Sequence, residues 1–260
     1  MSRDFPQELA DHVIDKLGEP SDASEPHKIS NYSTVSRKWV KRTQEHHFEL
    51  LHFECQEDME RWKRAIELGS SCVSQHVRTL HWIGINALGD FKDHLAALTK
   101  VKTAEFEGCG FFSSPHDVGI LRRIGSSLVE LEIHDTKTTP AIMASFLRGL
   151  PNLRRFHALH LEIELNDDPE LASLDDTQFF KGANDFRFLL RGHSKPGMLA
   201  WVPPSARFSN LGIGTQCIEH DPGLVQRWIN SSRETLRHFC IDWDPDLWHP
   251  GVCPDISSSA

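Results

Sequence analysis

The sequence lacks the features that mark several large classes of protein. No run of about eighteen apolar residues occurs, so no membrane-spanning helix is expected. The opening Met-Ser-Arg-Asp-Phe-Pro has no apolar stretch of the kind that a secretory signal peptide requires. Basic residues are outnumbered, with 28 Lys and Arg against 37 Asp and Glu and a net charge of −9, which argues against a nucleic-acid-binding protein. A cytoplasmic or nuclear globular protein is the expectation that remains.

Motifs for catalysis and metal binding are missing as well. There is no Gly-x-Ser-x-Gly elbow, no Gly-Lys-[Ser/Thr] phosphate loop and no His-Glu-x-x-His zinc motif. His157 and His160 are three positions apart on a predicted strand, and that spacing directs them to opposite faces. The sequence therefore predicts no catalytic residue, no metal site and no cofactor.

The six cysteines are scattered, without a Cys-x-x-Cys pair. This usage predicts reduced, mostly buried thiols rather than a disulfide framework. Cys109, between two glycines, is expected to be the least buried of them and to have a structural role.

Two amphipathic helices are predicted near the amino terminus. The first begins at Pro6, which suits a first helical turn because its missing N–H would have no partner there. Leu9, Val13 and Leu17 follow at intervals of four, and Gly18 is a suitable end. A module of about fifty residues buries little apolar surface, so these stripes face either the chain's own core or a partner. The second helix carries its apolar residues at spacings of three and four: Ile29, Tyr32, Val35, Trp39 and Val40.

These helices resemble the F-box, the module by which substrate receptors dock on the Skp-type adaptor of a cullin-RING ubiquitin ligase. F-box helices open with Leu-Pro-x-Glu-Leu and close with Val-Ser-[Arg/Lys]-x-Trp. Here Phe-Pro-Gln-Glu-Leu at 5–9 and Val-Ser-Arg-Lys-Trp at 35–39 stand in those places. Phe replaces the usual Leu, and the stretch between the helices is longer than usual. The resemblance implies adaptor docking by Phe5, Pro6, Glu8, Leu9, Ile14, Leu17, Val35, Ser36 and Trp39.

A second pattern, apolar-x-x-apolar-x-apolar, recurs beyond residue 70 and resembles irregular leucine-rich repeats. Its period lies in the range of those repeats, which have one strand and one helix per unit. The resemblance implies an α/β fold in which stacked units form a solenoid with a curved parallel sheet. A generic α/β domain with irregular strands is the alternative. The intervals are 24, 27, 25, 55 and 28 residues, counted from Val77, Val101, Leu128, Leu153, Phe208 and Leu236.

The segments between the strands are predicted helices. Thr139-Pro140 and Asp221-Pro222 each combine an N-cap residue with a first-turn proline, and residues 56–68 form a helix that leads into the repeats. The doubled interval is interpreted as an inserted, partly acidic loop at about 160–205, or as one degraded repeat with a long excursion. No cap follows the last unit, which suggests either a truncated carboxyl terminus or a lid formed by Trp243, Leu247 and Trp248.

The sequence therefore predicts two parts, an F-box-like helical module at 4–50 and an irregular leucine-rich-repeat solenoid at 51–260. The combination resembles fungal F-box-like proteins and implies a non-catalytic, substrate-recruiting subunit of a Skp–cullin–F-box ubiquitin ligase. Two alternatives stay open: a leucine-rich-repeat scaffold not linked to ubiquitination, and a hydrolase without a recognised motif. Polar strand residues such as His81, Glu105 and His157 are expected on the open face of the sheet. The candidates for target binding are Lys102, Glu130, Glu132, Arg154, Arg155 and Arg237.

Overall fold

The computed structural model describes residues 7–18, 37–67, 73–86, 88, 91–95, 97–164, 185–190 and 202–242, which form a mixed α/β fold. The helices are α1 (Gln7–Gly18), α2 (Arg37–His47), α3 (Gln56–Glu67), α4 (Lys92–Leu95), α5 (Pro115–Leu121), α6 (Pro140–Arg148), α7 (Thr215–His220) and α8 (Pro222–Ser231). The strands are β1 (Leu50–Phe53), β2 (Thr79–Ile83), β3 (Thr103–Glu107), β4 (Glu130–His134), β5 (Lys137–Thr138), β6 (Arg155–Ile163), β7 (Asp185–Leu190), β8 (Asn210–Gly214) and β9 (His238–Asp242). Among these helices, none is both long enough and apolar enough to cross a membrane.

Within the described residues, eight strands form one parallel sheet in chain order. The order is β1-β2-β3-β4-β6-β7-β8-β9, and the short β5 pairs with β6. Since β1 and β9 lie at opposite ends of this order, the sheet is open and does not close into a barrel. Neighbouring strands are offset by 24 to 30 residues, measured at the aligned positions Leu50, Thr79, Thr103, Glu130, Arg155, Asp185, Asn210 and His238.

One strand lies inside the doubled interval. β7 pairs with β6 on one side and β8 on the other, and Phe186 aligns with Leu211. The interval 160–205 is therefore not loop throughout, because it contributes a strand to the same sheet. Most of the acidic part of this interval lies outside the described residues, and so does the predicted lid beyond residue 242. β1 is a further strand, and Phe48, Leu51 and Phe53 have the same apolar spacing one interval before Val77, Leu80 and Trp82.

Alternate side chains of the strands enter a continuous hydrophobic core. β2, β3 and β4 each show partly exposed residues alternating with buried ones, because successive side chains of a strand point to opposite faces. The predicted alternation is confirmed on these strands. Helices cover the buried face, and their contributions to the core include Met59 and Trp62 of α3, Val118 of α5, Phe146 of α6 and Trp228 of α8.

The predicted starts of two of these helices are confirmed. Thr139 caps α6 and accepts a hydrogen bond from the backbone N–H of Ile142, while Pro140 occupies the first turn. Asp221 caps α8 in the same way, with Leu224 as the donor. An N-cap acceptor contributes about 1 kcal/mol because it satisfies an N–H group that has no partner inside the helix. These caps fix where the chain leaves the sheet.

A residue with a left-handed backbone conformation occurs at the equivalent position of four neighbouring strands, β2, β3, β4 and β6. Gly84, Gly108, Asp135 and His160 have φ angles of 65°, 60°, 46° and 53°. The first three donate their backbone N–H groups to carbonyls of the following strand, at 2.8, 2.9 and 3.1 Å. In β6 the corresponding residue lies at a bulge, between 158 and 161. Each turn therefore stacks on the next one and repeats the same geometry along the sheet.

A column of buried side chains follows these turns. It consists of Ile85, Cys109, Thr136 and Leu161, all at most 4% exposed. The Cys109 thiol donates to carbonyl oxygens of β2 and of its own strand, at 3.5 Å each, and burial raises its pKa to about 12. The prediction that Cys109 is the least buried cysteine is wrong, because the turn between its flanking glycines directs the side chain inward. Among the cysteine side chains that the structure describes, the exposed one is Cys55.

Candidate docking and binding surfaces

Helix α1 leaves apolar side chains exposed on one side. Leu9 is 52% exposed and Val13 is 38% exposed. Their spacing of four places them one above the other on the helix surface, next to the exposed Glu8. The described part of the chain exposes two other large hydrophobic side chains, Leu50 and Ile241, and these lie on strands far apart in the sheet. Among the described residues, the pair on α1 is thus the one place where two such side chains are neighbours along an element.

Ile14 differs from its neighbours because it is completely buried. The F-box resemblance includes Ile14 among the docking residues, but its side chain is not available at the surface of this structure. A helix turns by about 100° per residue, so the step from Val13 to Ile14 leads away from the exposed line. Trp39 on α2 is half-buried. The remaining predicted docking groups lie outside the described residues or side chains: Phe5, Pro6, Leu17, Val35 and Ser36.

Ion pairs fix the orientation of α1 against α2. The Asp15 carboxylate accepts a hydrogen bond from Arg42 Nε at 2.6 Å and lies 2.8 Å from His46 Nε2. Arg42 also donates to Glu45 at 2.7 Å. The hydrogen bonds from Arg42 and then His46 lower the pKa of Asp15 to about 2. These contacts hold α1 in the orientation that leaves Leu9 exposed.

Basic residues lie immediately before several strands, at the amino-terminal ends of the sheet. We call this row the basic edge. Lys102, Arg154 and Arg237 each precede the aligned first position of a strand, and all three are exposed. Arg78 occupies the equivalent position before β2, so the sequence prediction missed one member of this column. The Arg78 carbonyl accepts hydrogen bonds from the N–H groups of the next unit at 2.7 and 3.1 Å, which fixes the backbone of this edge.

The other predicted target-binding residues lie further along the strands. Glu130 and Arg155 are aligned on β4 and β6 and form an ion pair of 3.0 Å. Glu132 lies two residues beyond Glu130 on the same face. Lys102, Arg154 and Arg237 precede the strands, whereas Glu130, Arg155 and Glu132 lie at two levels along the partly exposed side of β4 and β6, so the six predicted residues do not form one compact patch. The structure does bring Glu132 into a different cluster.

We call that cluster the histidine–glutamate patch, and it lies on neighbouring strands of the open face. Glu105 and Glu132 are aligned partners on β3 and β4. His134 Nε2 lies 3.3 Å from Glu132 Oε2 and 4.0 Å from Glu105 Oε1. His157 Nδ1 lies 3.0 Å from Glu132 Oε1, and His81 Nε2 lies 3.5 Å from Glu105 Oε1. The patch consists of His81, Glu105, Glu107, Glu132, His134 and His157.

Glu132 and the histidines beside it change each other's titration. Hydrogen bonds to His134 and His157 hold the pKa of Glu132 well below its usual range. The same contact with Glu132 raises the pKa of His134, although burial opposes this shift. His81 also stacks on His52, with ring centroids 4.6 Å apart, and this contact extends the patch toward β1. The arrangement can donate or accept protons, and it offers nitrogen and oxygen atoms to a cation.

Motif spacing does not reveal this patch. Its members are supplied by successive strands, so Glu105 and Glu132 are partners in the sheet although they are far apart in the sequence. The signal that does identify them is the alternation on each strand, which predicts His81, Glu105 and His157 on the open face. The pairing of neighbouring strands then determines which of these polar residues lie side by side.

Comparison with known proteins assigns no family to this chain. No family model matches it, and no curated protein matches it in sequence. The surfaces with candidate functional chemistry are therefore the exposed side of α1, the basic edge and the histidine–glutamate patch.

Proposed function

We propose that the protein is a substrate-recruiting subunit of a Skp–cullin–F-box ubiquitin ligase. Its helical pair docks on the Skp-type adaptor, and its sheet binds a protein target. The observation that carries this proposal is the exposure of Leu9, the last residue of the segment that resembles an F-box opening, and of Val13, one helical turn later. Catalysis belongs to other subunits of the ligase, and the cytoplasm or nucleus is the compartment where such a complex works.

The exposed side of α1 has the energetic character of an anchor. Burying a Leu or Val side chain contributes about 1.5–3 kcal/mol, so burying both would supply a central share of a docking free energy. Interfaces of ordinary size depend on a few such buried groups surrounded by polar contacts. Glu8 and Asp11, on the same helix, provide polar groups beside this anchor. The F-box resemblance assigns further docking roles to Phe5 and Val35, which lie outside the described residues.

The remainder of the chain supports an irregular leucine-rich-repeat solenoid. Parallel strands in chain order, offsets of 24 to 30 residues and turns that share a left-handed residue are what stacked strand–helix units would produce. We set the boundary between module and solenoid at Phe48 and Glu49, because α2 ends at His47 and β1 begins at Leu50.

The open face is the proposed target surface. Its basic edge and its histidine–glutamate patch present opposite chemistry at two levels of the same strands, which suits a target segment that carries both acidic and basic groups. Lys102, Arg154 and Arg237 would contact the acidic part of such a segment. Glu132 and its neighbours would contact the basic part.

Capture by a purified Skp-type adaptor tests the proposal. Leu9→Asp places a charge in the proposed interface and should reduce capture at least tenfold, since an unpaired charge is costly to bury. Leu50→Asp is a matched control, because Leu50 is also a leucine that is 52% exposed but lies on β1. Both variants should keep the circular dichroism spectrum of the wild type. Capture of both variants at wild-type level would contradict the proposal.

The same experiment distinguishes a ligase subunit from a leucine-rich-repeat scaffold that is not linked to ubiquitination. If the wild-type chain does not bind the purified adaptor even at a high adaptor concentration, the function of a ligase subunit is rejected. The helical pair is then a cap on the sheet. In that case Leu9→Asp changes neither binding nor stability to a measurable degree, because its side chain is already exposed.

A further inference from the structure

Three potential metal ligands meet on β3 and β4 in the histidine–glutamate patch. One ligand atom each from Glu105, Glu132 and His134 lies within 4.8 Å of the others. The alignment of Glu105 with Glu132 fixes two of these residues on adjacent strands, and His134 lies two positions after Glu132 on the same face. Rigid parallel strands therefore position the donors, and no loop closure is required to bring them together.

One of the distances between donor atoms suits a tetrahedral site, and a second is only slightly longer. Zinc binds nitrogen and oxygen ligands at 2.0–2.2 Å, so two ligand atoms of a tetrahedral ion lie about 3.2–3.6 Å apart. The His134 Nε2 to Glu132 Oε2 distance is 3.3 Å, and the His134 Nε2 to Glu105 Oε1 distance is 4.0 Å. A small rotation of the partly exposed Glu105 side chain brings the second distance into the same range.

A neighbouring histidine supports one of the carboxylates from outside the ligand set. His157 Nδ1 contacts Glu132 Oε1 at 3.0 Å, which leaves Oε2 directed at His134. Ligating carboxylates are commonly held by such outer contacts, which orient the oxygen that binds the metal. His157 would therefore be a positioning residue rather than a ligand.

A second group of donors adjoins the first and shares one residue with it. His81, Glu105 and Glu107 also bring donor atoms within 4.8 Å of one another. Solvent does not reach His81 Nε2, and this atom has no hydrogen bond within the part of the chain that the structure describes, although Glu105 Oε1 lies 3.5 Å away. A buried nitrogen in this condition is destabilising unless a partner binds it. This second group shares Glu105 with the first but does not include Glu132 or His134.

We propose that the histidine–glutamate patch binds a divalent transition-metal ion of the zinc class through Glu105, Glu132 and His134. Imidazole together with carboxylates favours zinc and its neighbours over calcium or magnesium, which prefer oxygen ligands alone. The three residues leave a fourth position on the open face for water or another ligand. This inference is independent of adaptor docking, because its residues lie on the sheet and not on α1.

Zinc titration of the full-length chain tests the site. Isothermal titration calorimetry should give one site that is weakened at least tenfold by Glu132→Gln and by His134→Gln. His157→Gln should weaken it by about tenfold to 100-fold, as the loss of an outer contact does. His116→Gln is the matched control, because His116 is an exposed histidine on α5, outside the patch. Wild-type affinity in both the Glu132→Gln and His134→Gln variants would overturn the proposal.

A measurement on the wild-type chain avoids any dependence on the folding of variants. In long-range proton–nitrogen spectra of the imidazole rings, zinc should shift the Nε2 resonance of His134 and leave His116 unchanged. Cobalt in place of zinc should give the visible absorption of a tetrahedral site. Zinc binding that moves other histidines but not His134 would reject the assignment, as would the absence of any binding with zinc in excess over the protein.

Discussion

The helical pair and the open face of the sheet present opposite kinds of surface. On α1, Leu9 and Val13 are exposed without compensation, while the ion pairs of Asp15 lie between the helices. On the sheet, charged side chains are exposed but already paired across strands, as Glu130 is with Arg155. An apolar surface of the first kind gains free energy from any partner that excludes water. A charged surface of the second kind gains free energy only where the partner forms stronger ion pairs than those already present.

This difference teaches where specificity and affinity would reside. The anchor on α1 is suited to a constant partner, because apolar contact is not directional. The open face is suited to selection, because each new contact must compete with an internal one, such as that of His157 with Glu132. Binding to the two surfaces should accordingly respond differently to salt, which screens charges but not apolar contact.

The largest effect on stability should follow from truncating a side chain on the buried face of the sheet. Phe106 is completely buried and contacts Trp82, Phe111 and Phe112 with ring centroids 5.7, 5.6 and 5.4 Å away. Phe106→Ala should lower the free energy of unfolding by about 3–5 kcal/mol, because it leaves a cavity in the core. Leu9→Ala, in the exposed anchor, should change it by less than about 0.5 kcal/mol. Urea denaturation measures both, and similar losses in the two variants would break the comparison.

A second pair of variants sharpens the account of the stacked turns. Gly108 has a φ of 60° and lies at the turn after β3, so Gly108→Ala should destabilise by about 1–2 kcal/mol. Gly119 lies inside α5 with open space where a Cβ would stand, and Gly119→Ala should stabilise by about 0.5–1 kcal/mol. The thermal midpoints of the two variants should therefore shift in opposite directions. Shifts of the same sign would contradict the role given to the left-handed turn.

The smallest expected effect concerns the ion pairs that orient α1. Asp15 has a pKa of about 2 instead of its usual 3.8, so its contribution to stability is present above about pH 4 and is lost as the pH falls through 2. Since Asp15 and Arg42 are each 37% exposed, that contribution should be about 0.2–1 kcal/mol. Amide exchange of α1 in the wild type and in Asp15→Asn should differ at pH 6 and converge near pH 2. Amides of β3 serve as the internal reference.

A difference in α1 exchange that stays constant from pH 6 to pH 2 would show that Asp15 acts through packing rather than charge. Arg42→Gln offers a matched variant on the other helix, because it removes the first partner of Asp15 and leaves His46 in place. It should reproduce the direction of the Asp15→Asn effect with a smaller size. An opposite direction would contradict the pairing of the two helices through Asp15.

Features of the fold that depend on short segments could be predicted from the sequence. The caps at Thr139 and Asp221 are local, since one side chain bonds a backbone N–H three residues later. The buried alternation in β2 to β4 is local too. β7 is harder to recognise. Its pattern of Ala183, Phe186 and Phe188 begins with a small residue, and the interval that contains it also holds long flanking segments.

Features that depend on packing between distant segments could not be predicted. The sequence does not distinguish Val13 from Ile14, which are adjacent and similarly apolar, yet one is exposed and the other is buried. Which side of α1 faces α2 depends on contacts such as Asp15 to Arg42, across 27 positions. The histidine–glutamate patch is non-local for the same reason, because its donors come from different strands.

The most direct test of adaptor docking is hydrogen exchange on the full-length chain with and without a purified Skp-type adaptor. The account predicts slower exchange across α1, residues 7–18, when the adaptor is present, and unchanged exchange in β2 to β4. Unchanged exchange in α1, with protection appearing on the sheet or nowhere, would contradict the assignment of the exposed side of α1 as the docking surface.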